Sequence, residues 1–192
     1  MARVSWDEFF NRLYPVCPKL PAQQARNALR DAAATFCEET WIWQADADRV
    51  RVLPGLMEYD IDAPEGGSLV AGIVSVSVGE TRLEAGQGFT FAPPVLSLLW
   101  PPERRAWLTC RVALKPSETS SGIPRAVHEA WAGGIAAGAL ASLLVMPGQA
   151  WTNPGLAQFY GAQFRESMGR AKRRLRKSFT RKPLTVHPQR FE

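Results

Sequence analysis

The side chains able to do acid–base, nucleophilic or metal chemistry are few in this 192-residue chain, and their spacing does not bring them together. The histidines are His128 and His187. His128 precedes Glu129 in a stretch of helical periodicity, and neighbours on a helix point about 100° apart, so the pair converges on neither a proton nor a metal. Glu38 and Glu39 diverge in the same way. Cys17, Cys37 and Cys110 are an odd number with no CxxC spacing, which argues against a disulfide framework and against a zinc site. They read as buried thiols of a protein made in a reducing compartment. The glycines at 66–67 and 86–88 are followed by no GK[ST], so they form no phosphate loop. The expectation is a protein that is not an enzyme, with no catalytic residue, no metal ligand and no cofactor.

Charge is the feature that does carry information. Residues 165–192 hold ten Lys or Arg and two Glu, a net of +8, while the rest of the chain nets −3. Arg170, Lys172, Arg173, Arg174, Arg176, Lys177, Arg181 and Lys182 fall within thirteen residues. Such a run can neutralise nucleic-acid phosphates. It can also dock on an acidic protein surface, where complementary charge sets encounter and register. The bland alternative is a solvated helix face. Seven tryptophans add a second hint, because aromatic anchors are enriched at interfaces. Trp151, between Pro147-Gly148 and Asn153-Pro154, is the interface candidate among them, with a loop anchor on its own core as the alternative.

The elements that must position these residues follow from periodicity. Ser5 and Glu8 have capping-box spacing ahead of Phe9, Phe10 and Leu13, which predicts a first helix ending near Tyr14-Pro15. Pro21 opens a second helix with Leu29, Ala32, Phe36 and Thr40 on one stripe. From Arg49 the period drops to two. Val50 and Val52, then Tyr59 and Ile61, Val74 to Val78, Val95 to Trp100, and Leu108 to Leu114 alternate between turn residues, which predicts five to seven strands in a small antiparallel sheet or sandwich. Helical spacing returns at Pro124 and runs to Met146. Ala130–Met146 is apolar enough to suggest a membrane span but short for one, and it reads as a buried bundle helix. Its Gly134 and Gly138 allow close helix approach, within the chain or between subunits. Asn153-Pro154 caps a last helix with Leu156, Tyr160, Phe164, Met168, Ala171, Leu175 and Phe179 on one stripe. The opening residues lack the apolar core of a secretory signal. With 46% hydrophobic and 21% charged residues, the chain has the composition of a folded domain and not of a disordered one.

Three blocks, in order and spacing, resemble the head-to-tail adaptor proteins of tailed phages, the family of the tail tubular protein A of short-tailed phages. The first is Ala28-Leu29-Arg30-Asp31 running into Phe36-Cys37-Glu38-Glu39-Thr40-Trp41-Ile42-Trp43. The second is Ile135-x-x-Gly138-Ala139-Leu140-Ala141-x-Leu143-Leu144, and the third is Met146-Pro147-Gly148-x-x-Trp151-Thr152-Asn153-Pro154. The resemblance implies a virion structural protein that forms a ring, typically of twelve copies, under the portal, at the neck between capsid and tail, after synthesis in the host cytoplasm. The implied partners are the portal protein, the next tail protein (a nozzle or tube component), other copies of this chain, and genomic DNA passing through the channel without sequence-specific binding. No membrane is implied. Portal docking would fall on the eight basic residues above and Phe191, and a subunit interface on Trp151, Gly134 and Gly138. The fold expected is α+β, a helical bundle built from N- and C-terminal helix pairs that carries a central antiparallel β insertion. Its divisions are 1–46, 47–118, 119–182 and an arm over 183–192. The competing reading is a small nucleic-acid-binding protein using the basic helix.

Overall fold

The computed structural model describes residues 2–176. Ser5 opens a 3-10 turn, Trp6–Phe9, by accepting a hydrogen bond from the Asp7 amide, and one turn of helix α1 follows (Phe10–Leu13). Three long helices form the rest of the helical layer. Helix α2 spans Ala22–Thr40 and buries Ala25, Leu29, Ala32, Phe36 and Cys37 on one stripe. It ends on Trp41 in the left-handed conformation (φ 55°), a rare choice for a bulky residue. Helix α3 spans Arg125–Leu143 and helix α4 Pro154–Arg176. Asn153 caps α4 by accepting from the Leu156 amide at 3.0 Å, with Pro154 preset for the first turn.

Ten strands form three antiparallel sheets among the described residues. Strand β1 (Arg3–Ser5) pairs with β10 (Gly122–Pro124), bringing the N-terminal segment to the start of α3. The central sheet is built on two eleven-residue strands, β5 (Ser68–Val78) and β9 (Ala106–Pro116). Strands β2 (Gln44–Asp46) and β3 (Val50–Val52) pair with β9, and β6 (Thr81–Leu83) pairs with β5 across the Gly79-Glu80 turn. The third sheet is β4 (Glu58–Asp60), β8 (Val95–Leu98) and β7 (Phe89–Ala92). Alternation along β9 sends Leu108, Cys110, Val112 and Leu114 into the core, which they share with Leu96, Leu98, Phe89, Tyr59 and Ile61. That core continues without a break into the helical residues Leu29, Phe36, Ile135 and Leu140.

This architecture corrects the fold class expected from the sequence. The protein is α+β with three sheets as major layers; it is not a bundle of two helix pairs carrying a small β insertion. The N-terminal pair is missing because its first member is a 3-10 turn and a single α-turn, too short to pay the nucleation cost of an independent helix. In its place, the β1–β10 ribbon sits between the helical elements. The limits 47 and 118 fall just outside β2 and β9, yet β2 pairs with β9, so the central sheet begins before the expected insertion does.

The helical layer is held at close range by missing side chains. A Cβ on Gly138 would lie 2.7 Å from the Phe164 ring of α4 and 3.1 Å from Ala32 of α2. One on Gly134 would lie 2.7 Å from Ser167. Gly133, one residue away, faces outward, with the nearest atom at 3.9 Å on Arg12. Gly138→Ala should therefore lose ~1–3 kcal/mol to overpacking despite its better helix propensity. Gly133→Ala should gain up to ~1 kcal/mol from propensity alone. Thermal or urea unfolding of the two variants checks the contrast, and equal stability changes would contradict this packing.

Candidate docking interface

Five residues of the basic cluster, Arg170, Lys172, Arg173, Arg174 and Arg176, fall in the last two turns of α4. Its apolar stripe packs inward through Ala157 and Ala171, buried, and through Leu156, Tyr160, Phe164 and Met168, half-buried. Phe36 of α2 meets Phe164 at a ring separation of 6.0 Å and Trp131 of α3 at 5.7 Å, which fixes the roll of α4. With the stripe inward, Arg170, Arg173, Arg174 and Arg176 are exposed. Arg173, Arg174 and Arg176 occupy the last helical turn, where cations are favoured by the helix dipole.

The structure divides the expected docking residues. Lys172 donates to Glu39 at the end of α2 at 2.7 Å and straps α4 to α2. Arg170 lies 3.8 Å from Glu166 and donates to Ser167 Oγ at 3.2 Å. With Arg174, Gln163 and Trp131 it lines a groove of about 590 Å³ between α3 and α4. Arg173 and Arg176 face solvent. Lys177, Arg181, Lys182 and Phe191 lie outside the described residues. The three expected interface residues turn inward. Gly134 and Gly138 meet α4 and α2 of the same chain, and Trp151 is only 8% exposed, packed on its own core with an indole N–H that finds no partner among the described residues. Intrachain packing accounts for all three.

A second surface escaped the sequence reading. Leu53, Leu56, Met57, Leu99 and Trp100 are 37–46% exposed, on the loops after β3 and β8. The Gly55 amide donates to Pro102 O at 3.0 Å and the Leu98 amide to Met57 O at 2.7 Å, so the two loops lie side by side as one apolar tip. The signal is the apolar run Val95–Trp100, broken by Ser97, that ends Leu98-Leu99-Trp100. The run predicts a strand to its end, but β8 stops at Leu98 and the last two residues stand outside it.

The histidine and the thiols singled out from the sequence stand apart in the described residues. His128 Nε2 is buried without a partner, and its ring stands edge-on to Phe9 at 4.8 Å. Burial pushes the Cys37 thiol up to about 12 and Cys110 up to about 11, and raises Cys17, so none is poised as a thiolate. Among the described residues no group of three or more His, Cys, Asp or Glu could hold a metal, and no helix is long and apolar enough to cross a membrane. The hydrogen bond from Lys172, reinforced by its charge, lowers the Glu39 carboxyl below the ordinary glutamate value. Its stabilising contribution is present above that ordinary value and fades as pH falls through the depressed one. Lys172→Met should move the Glu39 titration upward, read by NMR of the side-chain carboxyl. An unmoved titration would show that the strap does not form in solution.

No family model matches the chain, and no curated protein matches it.

Proposed function

We propose that this chain is a non-enzymatic assembly component, a head-to-tail adaptor that joins a ring beneath a phage portal and bridges it to the tail. The observation that supports this reading best is a pair of unlike exposed surfaces on one folded chain. One is the apolar tip of Leu53, Leu56, Met57, Leu99 and Trp100; the other is the basic strip of α4. A closed ring needs a heterologous interface, in which one patch meets a different patch on the next copy. An apolar patch rimmed by polar residues suits burial against that neighbour. The basic strip suits an acidic portal surface, and charge there sets encounter and register more than raw affinity. The three sequence blocks that resemble the adaptors lie on α2, α3 and the α3–α4 loop, the elements that hold α4 in place.

The two surfaces should fail separately. Arg173→Glu with Arg176→Glu should leave circular dichroism unchanged, since exposed charges contribute ~1 kcal/mol or less to stability. The same pair should weaken binding to the cognate portal by more than about tenfold, because like-charge contacts across an interface cost several kcal/mol. Leu56→Asp with Leu99→Asp should leave a folded chain that still meets the portal but closes no ring by electron microscopy. A folded wild-type chain that fails to co-sediment with the portal of its own genome would refute the proposal.

A further inference from the structure

We infer that the outer face of the central sheet is a binding surface for single-stranded nucleic acid, held through its phosphates by Arg49 and Arg111 and through base stacking by Trp107. The inference does not rest on the adaptor reading and uses none of the basic residues of α4.

The face is defined by register. On β9 the buried residues are Leu108, Cys110, Val112 and Leu114, so Trp107, Thr109 and Arg111 point the other way. Cross-strand partners share a side. Ser75 pairs with Arg111, Ser77 with Thr109 on one strand and Arg82 on another, Arg51 with Trp107, and Asp46 with Arg111. One face therefore carries three arginines, a tryptophan and three small hydroxyl residues, with Asp46 the carboxylate among them. Helix α2 covers only its lower end, where Trp41 lies on Gly72, the partner of Ala113. From there to Trp107 is six residues of β9, an open strip of ~20 Å at the strand rise.

Near the middle the strip dips into a hollow of about 400 Å³. Arg49, Arg111, Ser75, Ser77, Thr109 and Asp46 supply its polar lining. None of these side chains makes a hydrogen bond or ion pair among the described residues. Ion pairs join acids and bases elsewhere among the described residues, from Arg3–Glu65 to Lys172–Glu39, but none of these involves a guanidinium of this face, even though Asp46 sits in register with Arg111. Two guanidiniums and three hydroxyls form a donor set suited to phosphate oxygens. The floor of Ser and Thr lets a sugar–phosphate chain approach the backbone. At the upper end Trp107 is 52% exposed, and Arg51 stacks over one side of its ring at 5.9 Å. A positive strip beside an exposed aromatic ring is how proteins hold single strands without reading sequence. A free phosphate would use the hollow but would leave Trp107 and Arg82 unused.

The test is fluorescence anisotropy of labelled oligo-dT with the whole chain at about 50 and 200 mM salt, a range over which phosphate contacts weaken markedly. Arg49→Gln with Arg111→Gln should weaken binding at least about tenfold at the lower salt. The slope of log affinity against log salt should fall by about 1.4, since each single-strand phosphate contact contributes ~0.7. Trp107→Ala should weaken dT binding by about five- to 150-fold, the loss of one stacked base. Both effects should persist in the Arg173→Glu, Arg176→Glu background, which separates them from α4. Circular dichroism of each variant guards against misfolding. Three results would overturn the inference: no dT binding by the wild type, sheet variants that are folded yet bind with unchanged affinity and slope, or a duplex that binds as tightly as dT with no dependence on Trp107. Displacement of dT by millimolar inorganic phosphate beyond matched chloride would overturn it in favour of a small-anion site.

Discussion

The distance between α2 and its two partner helices sets the rest of the structure. That distance is short because the facing positions are small. Ala32 and Gly138 meet where a further methyl group on the glycine would already crowd the Phe164 ring, and Gly134 admits Ser167. Phe36 then fills the one wide space, touching the rings of Trp131 and Phe164 together. Close packing turns this into a rigid choice of helix roll, since interiors are as dense as organic crystals and have no slack for a rotated α4. The basic strip faces outward because the apolar stripe has one place to go.

The end of α2 passes that constraint on to the sheet. Glu38 and Glu39 are neighbours that diverge around the helix, and each finds a different lysine. Glu38 accepts from Lys115 on β9 at 2.9 Å, and Glu39 from Lys172 on α4 at 2.7 Å. Carboxylates in a last helical turn oppose the helix dipole, so each gains from a cation alongside. Both pairs are solvent-exposed and individually contribute little to stability. Their value lies in geometry: consecutive residues tie one helix end to both layers. Immediately beyond, Trp41 takes a left-handed backbone and lays its indole on Gly72 at a register shift of β5, where any side chain would collide with the ring. The turn out of the helix and the irregularity in the strand are one fitted contact.

The long periodic elements were legible in the sequence. The stripes Leu29, Ala32, Phe36 of α2 and Leu156, Tyr160, Phe164, Met168 of α4, and the alternation along β9, each read directly as burial. What the sequence hid were strands of three residues. Arg3–Ser5, Gln44–Asp46 and Gly122–Pro124 are too short to show a period of two, and their pairing partners are far along the chain. The β1–β10 ribbon depends on Gly122, where a Cβ would run into the Val4 carbonyl, and on Trp6 donating its indole N–H to Ser120 O at 2.8 Å. Neither contact leaves a local pattern. The basic cluster was visible as composition, but which of its members are structural was not. Lys172 is distinguished from Arg173 only by the presence of Glu39 on another helix.

The same logic separates surface that is used up from surface that is available. A charge cluster read from sequence treats all its members alike, whereas the folded chain pairs some of them internally and leaves others to solvent. On α4, Lys172 is tied to Glu39, while Arg173 and Arg176 stand outward. On the central sheet the arginines are scattered in sequence at 49, 51, 82 and 111, so no run of charge marks them. They become one surface only because antiparallel register places residues from three strands and a connecting loop side by side. A net charge of −3 outside the basic segment hides that surface, which carries the carboxylate of Asp46 while other acids are spent in ion pairs elsewhere. Local potential at a binding face is set by which side chains the fold leaves unpaired, and a sum over the chain does not report it.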